Sequence, residues 1–169
     1  NNTMPQNLSS FYVGSEFSGT IWFAPLFAVG NWTGSNDGTQ IWNVTNNITI
    51  LGGTMKIFGD YLHLTTTGAN GNITDEGHGQ EWRSINGNIT IGSGVKLDGF
   101  KLGFPSEKGP GSNNYYGGAA HGGKGGRNSK DPYGNATAPT SLGSGGDDGK
   151  GGSAIKLHAF NLIEINGII

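Results

Sequence analysis

Two stretches of the chain are near copies of each other. Asn47-Ile48-Thr49-Ile50-Leu51-Gly52-Gly53-Thr54-Met55-Lys56-Ile57 lines up with Asn88-Ile89-Thr90-Ile91-Gly92-Ser93-Gly94-Val95-Lys96-Leu97. Each has Asn, then Ile-Thr-Ile, a glycine-rich turn and an apolar–Lys–apolar triplet. Apolar and polar residues alternate, so each stretch reads as a strand with one face in a core and Thr or Lys toward water. Ala154-Ile155-Lys156-Leu157, followed by Phe160-Asn161-Leu162-Ile163-Glu164-Ile165-Asn166-Gly167, is a third variant. Between Ile21 and Thr67 the β-prone runs Ile21–Phe23, Ile41–Val44, Ile48–Ile50, Met55–Phe58 and Tyr61–Leu64 are separated by Gly30–Gly38, Asn46-Asn47, Gly52-Gly53 and Gly59-Asp60. These breakers supply the residues that tight turns need. Strands this short suit the rungs of a solenoid, where each strand pairs with the next coil. The copies recur only every 40 to 60 residues or so, longer than a compact rung, so insertions must leave the coil at some corners. The predicted fold is therefore all-β: a β-solenoid, parallel β-helix-like, with a long ordered glycine-rich loop. A β-sandwich or jelly-roll is the alternative.

Composition narrows the class. Glycine supplies 33 of 169 residues, against about 7% in an average protein, yet follows no three-residue period, which excludes collagen. Ala, Glu, Lys, Leu and Arg are too scarce for a long helix or coiled coil. Charged residues make up 13% and the formal net charge is −2, so nucleic acid is not an expected partner. No apolar run reaches membrane-spanning length, and the longest, near Ile21–Val29, is broken by Pro25. Residues 1–20 read as a polar N-terminal arm. Residues 21–169 read as a single all-β domain with a glycine-rich insertion at 109–152. Asn1 is not an initiator, and the chain reads as cut or processed from something longer.

Asn-x-Ser/Thr tripeptides are the sharpest chemical signal. They occur at Asn1, Asn7, Asn31, Asn43, Asn47, Asn72, Asn88 and Asn135. About 18 asparagines, with Ser plus Thr at roughly 16%, would produce about three by chance. The excess points to N-glycosylation and an extracellular setting, secreted or at a cell surface. The absence of cysteine is compatible with that compartment, where disulfides are common but not obligatory.

The insertion from Gly109 to Gly152 has almost no large aliphatic residue besides Leu142. Tyr115, Tyr116, His121 and Tyr133 can anchor it by stacking, and structureless loops of this length are uncommon in compact domains. An ordered loop with closely approaching backbones is expected. From Tyr115 to Gly167 the chain also resembles glycine-rich segments of large secreted or cell-surface proteins. The residues that carry the resemblance are His121–Gly126, Tyr133-Gly134, Pro139, Leu142–Gly146, Gly151-Gly152, Ile155–Leu157 and Leu162–Gly167. Those segments form parallel β-helix coils, so the resemblance implies architecture and an extracellular setting. It carries no catalytic residue.

Five groups of residues are candidates for chemistry. The histidines His63, His78, His121 and His158 come without a Gly-x-Ser-x-Gly elbow or a cysteine. Asp75, Glu76, His78 and Glu81 lie close in sequence but read as a solvated turn. Asp147-Asp148 does not fit the tandem calcium-binding nonapeptide. Asp60 and Asp98 follow related runs and could converge on one face of a solenoid, as a polysaccharide-degrading enzyme would require, but Asp beside Gly is ordinary turn chemistry. Among the tryptophans, Trp22 and Trp42 read as core, whereas Trp32 and Trp82 are candidates for stacking on sugars. No catalytic residue, metal ligand or cofactor is predicted, and N-linked glycans are the only attached groups expected.

The function expected from sequence is structural: a non-enzymatic extracellular glycoprotein, a subunit or repeat of a surface filament. Neighbouring copies would join by strand pairing through the apolar segment with Leu162, Ile163, Ile165, Ile168 and Ile169. The alternatives are a carbohydrate-binding or adhesin module, with glycans as partners, and the polysaccharide-degrading enzyme.

Overall fold

The computed structural model describes residues 8–23, 40–59, 76–112, 117–127, 131–135, 137 and 139–169. The strands are β1 (Phe11–Val13), β2 (Thr20–Phe23), β3 (Gln40–Val44), β4 (Ile48–Ile57), β5 (Gln80–Ser84), β6 (Ile89–Asp98), β7 (Ile155–Ala159) and β8 (Ile163–Ile165). No helix appears among the described residues, and none is long and apolar enough to cross a membrane. The protein is all-β, with parallel pairing throughout its two sheets.

One sheet runs β1-β4-β6-β8, with β2 also paired to β4; the other runs β3-β5-β7. From β2 onward, successive strands alternate between the sheets. In the first sheet Ile48 pairs with Ile89 and Ile89 with Ile163; Ile50 pairs with Ile91 and Ile91 with Ile165. In the second, Trp42 pairs with Trp82 and Trp82 with Leu157. Identical or similar side chains thus stack in columns. Val44, Ile48, Ile50, Met55, Ile57, Trp82, Ile89, Ile91, Val95 and Leu97 form one buried cluster fed by both sheets. The alternation read from sequence holds: Ile48, Ile50, Met55 and Ile57 are buried, while Thr49 and Lys56 are more exposed.

Four expectations change. Residues 8–20 are not a free arm: β1 and the start of β2 pair with the two halves of β4, and residues 1–7 lie outside the described residues. The runs at Ile48–Ile50 and Met55–Ile57 are one strand, irregular between Ile50 and Gly52, where residues 14–19 bow out. The repeat alignment places Lys56 opposite Lys96, but the register places Lys56 opposite Asp98 and Lys96 opposite Thr54. Like charges directly across a sheet repel, and the shift puts a carboxylate beside both lysines. Finally, Ile155-Lys156-Leu157 joins the second sheet, beside β5, and it is Ile163-Glu164-Ile165 that stacks on Ile89-Thr90-Ile91.

The connection between β6 and β7, residues 99–154, is an excursion that contains the glycine-rich insertion. Its arms are joined by backbone hydrogen bonds: Phe104 N–H to Gly143 O (3.1 Å), Gly151 N–H to Phe104 O (2.9 Å) and Gly145 N–H to Lys108 O (2.9 Å). Phe104 and Leu142 form a second small core, with Ala154 packed against it. A β-carbon on Gly59 or Gly77 would strike Leu142, so glycine there lets the excursion dock on the chain beneath it.

Candidate functional site

The candidate site is the open edge of the first sheet. β8 hydrogen-bonds to β6 on one side, and the pairing continues past it through Asn166 N–H to Ile91 O (2.8 Å) and Leu97 N–H to Ile168 O (2.8 Å). Among the described residues no strand pairs with its other side. Column positions that are fully buried at Ile48, Ile50, Ile89 and Ile91 are 39% and 43% exposed at Ile163 and Ile165. Phe160, Leu162, Ile168 and Ile169 are exposed beside them. At the opposite edge Val13 and Phe23 are buried, with Leu8, Phe11, Phe17 and Ile21 packed around them. The inward-facing columns are therefore covered at that edge and open at β8, although the outward-facing Tyr12 and Trp22 of the opposite edge are exposed too. The five residues singled out from sequence all lie at the β8 edge, and Phe160, one residue beyond β7, joins them.

A cavity of about 220 Å³ opens next to this edge, lined by Ile57, Leu97, Phe100, Ile155 and Ile169 among others. Among the described residues its lining carries no titratable side chain.

Of the acidic candidates, Asp98, Glu81 and Glu76 are among the described residues. Asp98 Oδ2 lies 2.5 Å from Lys56 Nζ and 3.2 Å from Lys96 Nζ, and its Oδ1 accepts the Phe100 N–H. The Lys56 hydrogen bond, then the Phe100 amide, hold its pKa at about 2. Glu81, 5% exposed, meets Arg83 Nε at 2.6 Å, Lys156 Nζ at 3.5 Å and His158 Nδ1 at 3.7 Å. Burial acts to raise the Glu81 carboxyl, but Arg83 and Lys156 outweigh it and hold the group below its ordinary value. Glu76 accepts from Ser141 Oγ at 2.5 Å and braces the excursion. Among the described residues these three networks share no member. Asp60, Asp75 and His63 lie outside the described residues. No cluster of three or more metal-ligating side chains occurs among the described residues.

Asp98 gives a direct test. Its folded pKa of about 2 lies below the unfolded value of about 3.9, so its contribution to stability is present above pH ~4 and lost as pH falls toward 2. NMR titration should place the Asp98 carboxyl midpoint near 2, and Lys56→Met should raise it. A midpoint near 4 in the unaltered protein would show that the lysines do not hold it.

Tertiary packing reassigns the tryptophans. Trp82 is fully buried and cannot present a sugar platform; its ring contacts Phe23 (centroids 4.6 Å) and Trp42 (5.5 Å). Trp22 is not core but 62% exposed, tilted against Phe58 at 5.4 Å. In β2 the alternation turns Phe23 inward and Trp22 outward. Trp32 lies outside the described residues. Gln80, which no sequence signal marked, is buried and donates to Phe23 O (2.5 Å) and Phe58 O (3.0 Å).

Of the sequon asparagines, Asn43, Asn47 and Asn135 are exposed and Asn88 is half-buried. Asn47 Oδ1 accepts the Asn88 N–H at 2.9 Å, and Asn135 Oδ1 accepts from Thr137 N–H and Oγ1. Asn1, Asn7, Asn31 and Asn72 lie outside the described residues. Comparison with protein-family models, with curated proteins and with solved structures found no match.

Proposed function

We propose that the chain is a structural, extracellular, N-glycosylated protein built as a β-solenoid, and that it serves as a subunit or repeat of a surface filament. The observation that carries this reading is the continuation of the Ile48–Ile89 and Ile50–Ile91 columns to Ile163 and Ile165, where they stand exposed on an unpaired edge. An apolar strand edge of this kind is a template for another strand. Alternation of strands between two parallel sheets, with like residues stacked, supports the solenoid. The ion-paired carboxylates favour a scaffold over an enzyme, and the exposed sequon asparagines suit a glycan-covered flank.

Electron microscopy of the glycosylated protein at micromolar concentration is expected to show filaments. Paired Ile163→Lys and Ile165→Lys substitutions should abolish them while leaving the monomer folded by circular dichroism, because both side chains are already partly exposed. Monomers from the unaltered protein would overturn the filament. If those monomers bound a glycan through the exposed Trp22, the carbohydrate-binding alternative would take its place.

A further inference from the structure

We infer that the open β7–β8 edge takes the first-layer edge of a second copy of this chain, in register, so that Ile163 meets the second copy's Phe11 and Ile165 its Val13. The inference rests on the assembly reading above and adds its geometry. Within the chain, Phe11 pairs with Ile48, Ile48 with Ile89 and Ile89 with Ile163; Val13, Ile50, Ile91 and Ile165 form the parallel series. All these steps are parallel and carry apolar residues at the same positions. Adding one more identical step to β8 regenerates β1 as the next strand.

One further feature fits the same step. In the other sheet Leu8 bridges Val44, and Val44 leads through Ser84 to Ala159. The same translation therefore sets the second copy's Leu8 on Ala159, and both sheets continue together.

The repeat is four strands of the first sheet. At about 4.8 Å per strand, the axial rise per subunit is about 19 Å. Outward-facing residues follow the same register: Tyr12, Thr49, Thr90 and Glu164 form one row. Within a chain Tyr12 and Glu164 are three strands apart, roughly 14 Å, too far for a disulfide. Across the inferred contact they are adjacent.

The chain has no cysteine, so a Tyr12→Cys, Glu164→Cys double variant tests the contact without background. Oxidation of assembled protein should produce a ladder of covalent oligomers on a non-reducing gel, whereas the Thr49→Cys, Glu164→Cys control stays monomeric. Filaments of the unaltered protein, which need no substitution, should show the rise of about 19 Å. Filaments with another rise, or without cross-links in the first variant, would overturn this register and leave the assembly reading standing. Absence of both filaments and cross-links would overturn both.

Discussion

Replacing Trp82 by Ala is expected to destabilise the protein by about 3–5 kcal/mol, a fall in Tm on the order of 10 °C for a chain of this size. The indole is fully buried at the crossing of both sheets. It packs against Phe23 at 47° and against Trp42 edge-on at 83°, and its Nε1–H donates to Gln80 Oε1 at 3.2 Å. Truncation opens a cavity and leaves the Gln80 carbonyl without its donor, while the Gln80 amide is still tied to Phe23 O and Phe58 O. A buried acceptor without a partner adds a cost of its own. Trp22→Ala removes the same side chain from an exposed position and should cost no more than about 1 kcal/mol. Thermal unfolding of the two variants side by side measures the difference. Equal losses would mean that Trp82 is not in the core.

Gly151→Ala should be nearly as damaging, for a reason unrelated to burial of apolar area. A β-carbon there would fall on the carbonyl of Gly143. Neither backbone is free to retreat: Gly151 N–H bonds Phe104 O (2.9 Å), Gly103 N–H bonds Gly151 O (2.9 Å), and Gly143 N–H bonds Gly152 O (2.9 Å). Overpacking of this kind costs about 1–3 kcal/mol, and each broken hydrogen bond adds about 1 kcal/mol, for an expected total of about 3 kcal/mol or more. Gly123→Ala is the contrast. Nothing lies within 4 Å of the added carbon and no left-handed φ is required, so it should be neutral or stabilising by up to about 1 kcal/mol through the unfolded chain. Urea unfolding gives the ordering, and hydrogen exchange at the Phe104 and Gly151 amides locates the damage. Equal stability of the two variants would show that the arms of the excursion are not packed together.

Gly151→Ala also bears on assembly. The excursion leaves the solenoid proposed here between the last strand pairs of the two sheets, and Gly152, Ser153 and Ala154 line the cavity beside Ile169. Loosening it would disturb the open edge without touching any residue of the β8 strand.

Much of the strand content was legible because a two-residue period is local. Ile48-Thr49-Ile50 and Ile89-Thr90-Ile91 declare by themselves which side chains turn inward, and glycines and asparagines between such runs declare where the chain bends. The apolar segment Leu162–Ile169 was legible as an edge candidate on the same grounds. Pairing is a different matter, since it joins residues 34 positions or more apart in the chain and depends on which neighbours compete. Tertiary structure alone turned Trp22 out and Trp82 in, because each had an alternating run that allowed either face. It alone moved Lys56 from Lys96 to Asp98, where opposite charges meet at 2.5 Å. It also sent Ile155–Leu157 to the second sheet and drew Phe11–Val13 into the first. The sequence by itself determined that short strands form, where they turn and which residues seek a core. Which strand lies beside which, and hence which columns close and which stay open at Ile163 and Ile165, was decided only when distant segments stacked, since register is set by the summed packing and charge of a whole layer.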